Sequence, residues 1–67
     1  MASLFLAVMA LPQKYRVPIH LYYYEEYSVR EVAQILGLRE SAVQTRLLRA
    51  RQKLKQTLEG FRDEGTL

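Results

Sequence analysis

The chain has no cysteine, no tryptophan and a single histidine, with only three glycines and two prolines in 67 residues. Without cysteine, neither a disulfide framework nor a thiolate zinc site can staple the fold. One histidine excludes a multi-histidine metal site, so no metal or other cofactor is expected. The lack of cysteine is compatible with a reducing cytoplasm. There is also no apolar run of the ~20 residues that a membrane-spanning helix needs. A chain of this length has room for one small domain, residues 1–67, which buries only about 60% of the surface its unfolded form exposes. Stability must therefore come from packed apolar side chains, and 49% of the residues are hydrophobic.

What is present is unevenly distributed. The net charge is only +3. Residues 1–28 balance Lys14 and Arg16 against Glu25 and Glu26. Residues 29–58 carry seven basic groups against Glu31 and Glu40, a net of +5, and the segment from Glu59 onward is acidic. A basic block inside a near-neutral chain points to an anionic partner more directly than the total charge does.

The opening "MASLFLAVMAL" has no basic leader and no small-residue cleavage site before Leu11-Pro12, so it reads as a buried first helix rather than a secretory signal. Being apolar nearly all round, it is expected to be covered from several sides.

Four helices are expected and no strand pattern competes, which makes the fold class all-α. The first covers about residues 3–10. Pro12 favours the first position of a second helix, about 12–24, where Tyr15, Ile19, Tyr22 and Tyr23 recur at spacings of three and four. Pro18 lies inside it and predicts a kink or loosened turn near Lys14. The third helix, about 29–36, opens on Ser28 with Glu31 three residues on, a capping-box pattern. Val29, Val32, Ala33 and Leu36 give it one apolar face. Gly37 supplies a left-handed stop, with Leu38 as its hydrophobic partner.

The fourth helix, about 40–61, carries Val43, Leu47, Ala50, Leu54, Leu58 and Phe61 on one side. At about 100° per residue these lie within roughly 80° of one another. Ala42, Thr45, Arg46, Arg49, Gln52, Lys53 and Gln56 gather opposite. A short helix, a three-residue turn with glycine and a longer basic helix form the plan of a helix-turn-helix, here about residues 28–54. Ala33 is small where the two helices approach, and the outer face of the second is free for a major groove.

Other residues have plainer readings. Tyr22, Tyr23, Tyr24 and Tyr27 are expected to pack in the core with their hydroxyls at the rim. Arg51 and Lys55 lie nearer the apolar seam, where they can snorkel over the core; Arg51 is assigned to structure. His20 reads as a rim residue, and Glu25 and Glu26 point apart. No nucleophile–base pair and no phosphate loop is present, so no catalysis is expected.

Three stretches, "LPQKYR", "YSVREVAQILGL" and "SAVQTRLLRARQKL", together resemble region four of bacterial sigma-70-type factors, most closely the extracytoplasmic-function (ECF) group. The family pattern LPxxxR…SxxEIAxxLGxxxxTVxSRLxRARxxL is followed over about residues 11–58. Leu11, Pro12, Arg16, Ser28, Glu31, Ala33, Leu36, Gly37, Val43, Arg46, Leu47, Arg49, Ala50, Arg51 and Leu54 match it in order and without gaps. The chain departs at Arg39, where a small or polar residue is common, at Ala42 for a frequent threonine, at Glu26 for a frequent glycine, and at Tyr22 for a frequent basic residue. These departures bear on individual backbone contacts rather than on the fold.

The resemblance implies a four-helix domain with a C-terminal helix-turn-helix that binds double-stranded promoter DNA at the −35 element. Gln44, Thr45 and Arg49 would make the base-edge contacts, with Arg39, Ser41 and Arg46 at the groove edge or on phosphates and Lys53 on phosphate. Arginine grips guanine O6/N7, glutamine suits adenine N6/N7, and phosphate-directed groups add affinity without sequence choice. It further implies RNA polymerase core as partner through the flap of its β subunit, an anti-sigma factor as a possible second partner, and a bacterial cytoplasmic location. A whole factor of this kind needs a further domain, so the chain is expected to be a fragment. Two other readings stay open: a protein-interaction module, which exposed Leu48, Leu58 and Phe61 would support, and a dimeric helix-turn-helix regulator of a different family.

Overall fold

The computed structural model describes residues 4–65, and side chains from Leu4 to Leu58. In chain order the elements are α1 (Leu4–Met9), α2 (Gln13–Ile19), a π-helical segment (His20–Tyr24), α3 (Val29–Leu36) and α4 (Glu40–Gly65). No strand occurs among the described residues. The expected helices are all found, with α4 running on to Gly65, past its expected end, and Ser3 lying outside the described residues.

α4 is the spine, with α1, α2 and α3 all packed against it. Its apolar seam supplies Val43, Leu47, Ala50 and Leu54 to the core; α2 supplies Tyr15 and Ile19, α3 supplies Val32 and Ala33, and Ala7, Val8 and Leu11 close one end. Val32, Val43 and Ala50 are fully buried. Each of the two valines contributes about 1.5–3 kcal/mol by leaving water. Leu58 packs partly against the same core, and the side chain of Phe61 lies outside the described residues.

α3 is closed at both ends as its sequence requires. The Ser28 hydroxyl accepts the Glu31 N–H at 3.1 Å, and the Glu31 carboxylate accepts the Ser28 N–H at 2.9 Å. At the other end Gly37 has φ 66°, and the Leu38 N–H donates to the Ala33 carbonyl at 2.9 Å. That is the Schellman arrangement, and Leu38 folds back against the core.

Three expectations about the N-terminal half need correction. First, the disruption in the second helix lies after Pro18 instead of near Lys14. The helix holds through Ile19 and then widens, with the Glu25 N–H reaching back to the His20 carbonyl at 3.1 Å. The Lys14 carbonyl, which Pro18 cannot serve, belongs to an exposed residue where water can satisfy it. Second, the widened turn adds a residue per turn and shifts the register of the residues beyond it. Tyr15 and Ile19 are buried and Tyr22 is half-buried, but Tyr23, Tyr24 and Tyr27 are exposed instead of packed. Third, α1 is covered on one side only. Ala7 and Val8 face the core, while Leu4, Phe5, Leu6 and Met9 are each at least half exposed. This six-residue helix sits at the edge of a three-helix scaffold, which packs against one side of it among the described residues.

Candidate nucleic-acid interface

The turn Gly37–Arg39 sets the geometry of the interface. Gly37 reverses the chain after α3, and the Arg39 carbonyl starts α4 by accepting the N–H groups of Ala42 and Val43 at 3.0 and 3.1 Å. Glu40 sits in the first turn, where the helix dipole favours an acid. With Val43 and Leu47 locked into the core, Glu40, Ser41, Gln44 and Thr45 in the first two turns of α4 are exposed, and Ala42 and Arg46 are half-buried.

Of the residues singled out from sequence, Arg39, Ser41, Gln44, Thr45, Arg49 and Lys53 are exposed and Arg46 is half-buried. Thr45 and Arg49 lie on the side of α4 opposite its apolar seam, and Gln44 is exposed on the flank beside the seam. The Thr45 hydroxyl donates to the Ser41 carbonyl at 3.0 Å, so it offers a bound ligand its methyl group and oxygen lone pairs instead of a free proton. Arg39 and Ser41 line a shallow groove of about 430 Å³ with Arg30 and Gln34 of α3. Arg46 lines a second groove, with Lys14 of α2 across from it. Lys53 rests over the Tyr15 ring, its ammonium 5.6 Å from the centroid. The site therefore divides into an outward polar strip and a basic flank.

Arg51 is placed as its position near the seam suggested. Its guanidinium donates to the Tyr23 hydroxyl at 2.7 Å, tying α4 to the π-helical segment. His20 is exposed and pairs with Glu25 at 3.3 Å, with its ring stacked on Tyr24 at 5.5 Å between centroids.

Sequence reasoning missed two features of this surface. One is Lys14, whose neighbourhood with Arg46 and Lys53 comes from α2 lying along α4, a contact no local spacing encodes. The other is Tyr15, whose buried ring was read as core alone. Burial opposes its ionisation, yet Lys14, Arg49 and Lys53 around it hold the hydroxyl below the ordinary tyrosine range.

A capped short helix, a glycine-reversed turn and a long helix with a bare polar strip define a helix-turn-helix domain. Comparison with known proteins narrows the class: residues 2–54 match the family described as Sigma-70, region 4, and the chain belongs to that family. It is also 40% identical over 53 residues to RNA polymerase sigma factor SigZ of Bacillus subtilis (strain 168), a match covering 79% of this chain and 30% of that relative. The chain thus spans about a third of the length of the curated relative it matches.

Proposed function

We propose that this chain is the promoter-reading domain of an ECF-type sigma factor, and that α4 enters the major groove of the −35 element. The observation that carries the reading is the exposure of Gln44, Thr45 and Arg49 on a helix whose seam is fixed in the core. Gln44 and Arg49 supply bidentate hydrogen-bonding groups for adenine and guanine, and Thr45 supplies a methyl for thymine. Arg39, Ser41, Arg46 and Lys53 flank the strip and serve phosphates, which fix register without choosing sequence. The role is one of binding, and no chemical step is assigned to the chain.

RNA polymerase core is the proposed protein partner. The exposed side of α1 supports a protein contact: Phe5, Met9, Val17, Leu21 and Tyr24 line an apolar groove of about 360 Å³ with Arg16 and His20 at its edge. The flap of the polymerase β subunit is the partner we assign to this half of the domain, with an anti-sigma factor as a competitor for it. Among the described residues no helix is long and apolar enough to cross a membrane.

Fluorescence anisotropy titration against a duplex carrying a −35-like element and against a scrambled duplex, at two salt concentrations, tests the reading. Preference for the −35-like duplex supports it. Equal affinity for both, together with tight binding of a protein partner, would transfer the function to the apolar surfaces. Leu48, 51% exposed on α4, favours a protein-interaction module, as does the apolar groove at α1. Leu58 does not, since it packs against the core.

A further inference from the structure

Tyr15 carries the one buried aromatic ring among the described residues. The ammonium of Lys14, on α2, lies 5.1 Å from its centroid, and that of Lys53, on α4, lies 5.6 Å from it. Both are within the ~6 Å over which a ring face attracts a cation. Lys14 also lines the groove of about 650 Å³ between α2 and the helix-turn-helix, which Arg46 lines too and to which no acidic side chain contributes. Along α4, Arg46 and Arg49 are three residues apart, and Arg49 and Lys53 four apart, so each adjoins the next on the helix surface.

Four cations are thus drawn together from two helices. Among the described residues no salt bridge joins any of the four to a carboxylate. Like charges at such spacings destabilise a helix, and among the described residues only the Tyr15 ring, over which Lys14 and Lys53 lie, offsets that cost. An external polyanion would offset more of it. The cluster borders the strip that carries Thr45 and Arg49, on the side toward α2, which is where a phosphate backbone runs when a helix lies in the major groove.

We propose that Lys14 and Tyr15 carry the DNA-contact surface from α4 onto α2: Lys14, with Arg46 and Lys53, grips the backbone flanking the major groove, and the Tyr15 ring is the platform that holds the Lys14 and Lys53 side chains in place. The proposal rests on the reading of α4 as the groove-entering helix. Lys14 is a phosphate contact, and Tyr15 is a positioning residue that touches no nucleic acid itself.

The test is the salt dependence of duplex binding by the full chain, measured by anisotropy between about 50 and about 200 mM salt on the −35-like and scrambled duplexes. Each phosphate contact contributes about 0.9 to the slope of log affinity against log salt. Lys14→Gln should lower the slope by about that amount on both duplexes and leave the affinity ratio between them unchanged. Tyr15→Phe, which keeps the ring, should leave the slope at its wild-type value. Tyr15→Leu should lower it, in a protein that circular dichroism shows to be folded, and should Tyr15→Leu not fold, Lys14→Gln alone decides. A wild-type slope in Lys14→Gln, with the preference for the −35-like duplex intact, would overturn this inference and leave the promoter reading standing. Loss of preference in the wild-type chain would overturn the promoter reading, while the Lys14→Gln slope on either duplex still decides the phosphate contact. Poly-glutamate bound through Lys14, with an unchanged duplex slope, would assign the cluster to an acidic protein segment and likewise overturn the inference.

Discussion

The guanidinium of Arg51 donates a 2.7 Å hydrogen bond to the hydroxyl of Tyr23, joining residues 28 positions apart in the chain. It connects α4 to the π-helical segment, and so holds the end of the α2 region against the spine. The two rings Tyr22 and Tyr23 meet edge to face at 4.9 Å, which fixes the acceptor's orientation. Because Tyr23 is half exposed, Tyr23→Phe should cost no more than about 0.5–1.5 kcal/mol, the range of an ordinary protein hydrogen bond. Urea unfolding monitored by circular dichroism would show it as a lowered midpoint with an unchanged slope.

Glu26 has φ 61°, a left-handed conformation that a residue with a Cβ adopts at a cost of about 1–2 kcal/mol. Glycine adopts it freely but loses more chain entropy on folding, roughly 0.5–1 kcal/mol. Glu26→Gly should therefore stabilise the domain by about 0.5–1 kcal/mol, the difference between those two effects. The measurement is the same urea midpoint, and a lowered midpoint would contradict backbone strain at this position.

Gly37 presents the opposite case. Its φ is 66°, and a Cβ built there meets nothing within 4 Å. The cost of Gly37→Ala is then backbone strain less the chain entropy that glycine loses on folding, about 0.5–1 kcal/mol. Gly37→Asn should cost less, because asparagine tolerates the left-handed region better. Equal losses for both would point to a steric clash that the open surroundings exclude.

The capping box carries a pH signature. The Ser28 backbone N–H, and then the Ser28 side chain, hold the Glu31 carboxyl below its ordinary value of 4.5. A group with a depressed folded-state pKa stabilises the fold above its unfolded value and loses that contribution as pH falls through the folded value. Wild-type stability should accordingly decline between pH 4.5 and the lower folded-state value of Glu31. Glu31→Gln keeps an oxygen acceptor but cannot titrate, so it should be less stable than wild type at neutral pH and lose less on acidification. Ser28→Ala should cost about 1 kcal/mol at neutral pH.

The parts of this fold that were legible in the sequence are those fixed by local chemistry. Ser28 and Glu31 cap a helix wherever it packs, Gly37 stops it for backbone reasons, and the seam of Val43, Leu47, Ala50 and Leu54 follows from helical periodicity alone. The parts that were not legible depend on neighbours. Tyr23 shares the spacing of a buried stripe, but a widened turn, which a 3.6-residue repeat does not register, moves it out. The apolar α1 looked like core because composition records what a helix could bury, not what lies over it. At the interface, Arg49 and Thr45 could be placed by their angle to the seam. Lys14 could not, because its place beside Arg46 and Lys53 exists only once α2 lies along α4.

The central claim is that α4 reads sequence, and Arg49 tests it most directly. The measurement is the ratio of dissociation constants for scrambled and −35-like duplexes, taken at one salt concentration for wild type and for Arg49→Ala. Loss of a bidentate arginine contact costs about 1–3 kcal/mol of discrimination, so the ratio should fall by about 5- to 150-fold, toward one. Lys53→Ala should weaken both duplexes alike and leave the ratio where it was. A ratio that survives Arg49→Ala unchanged would contradict the account.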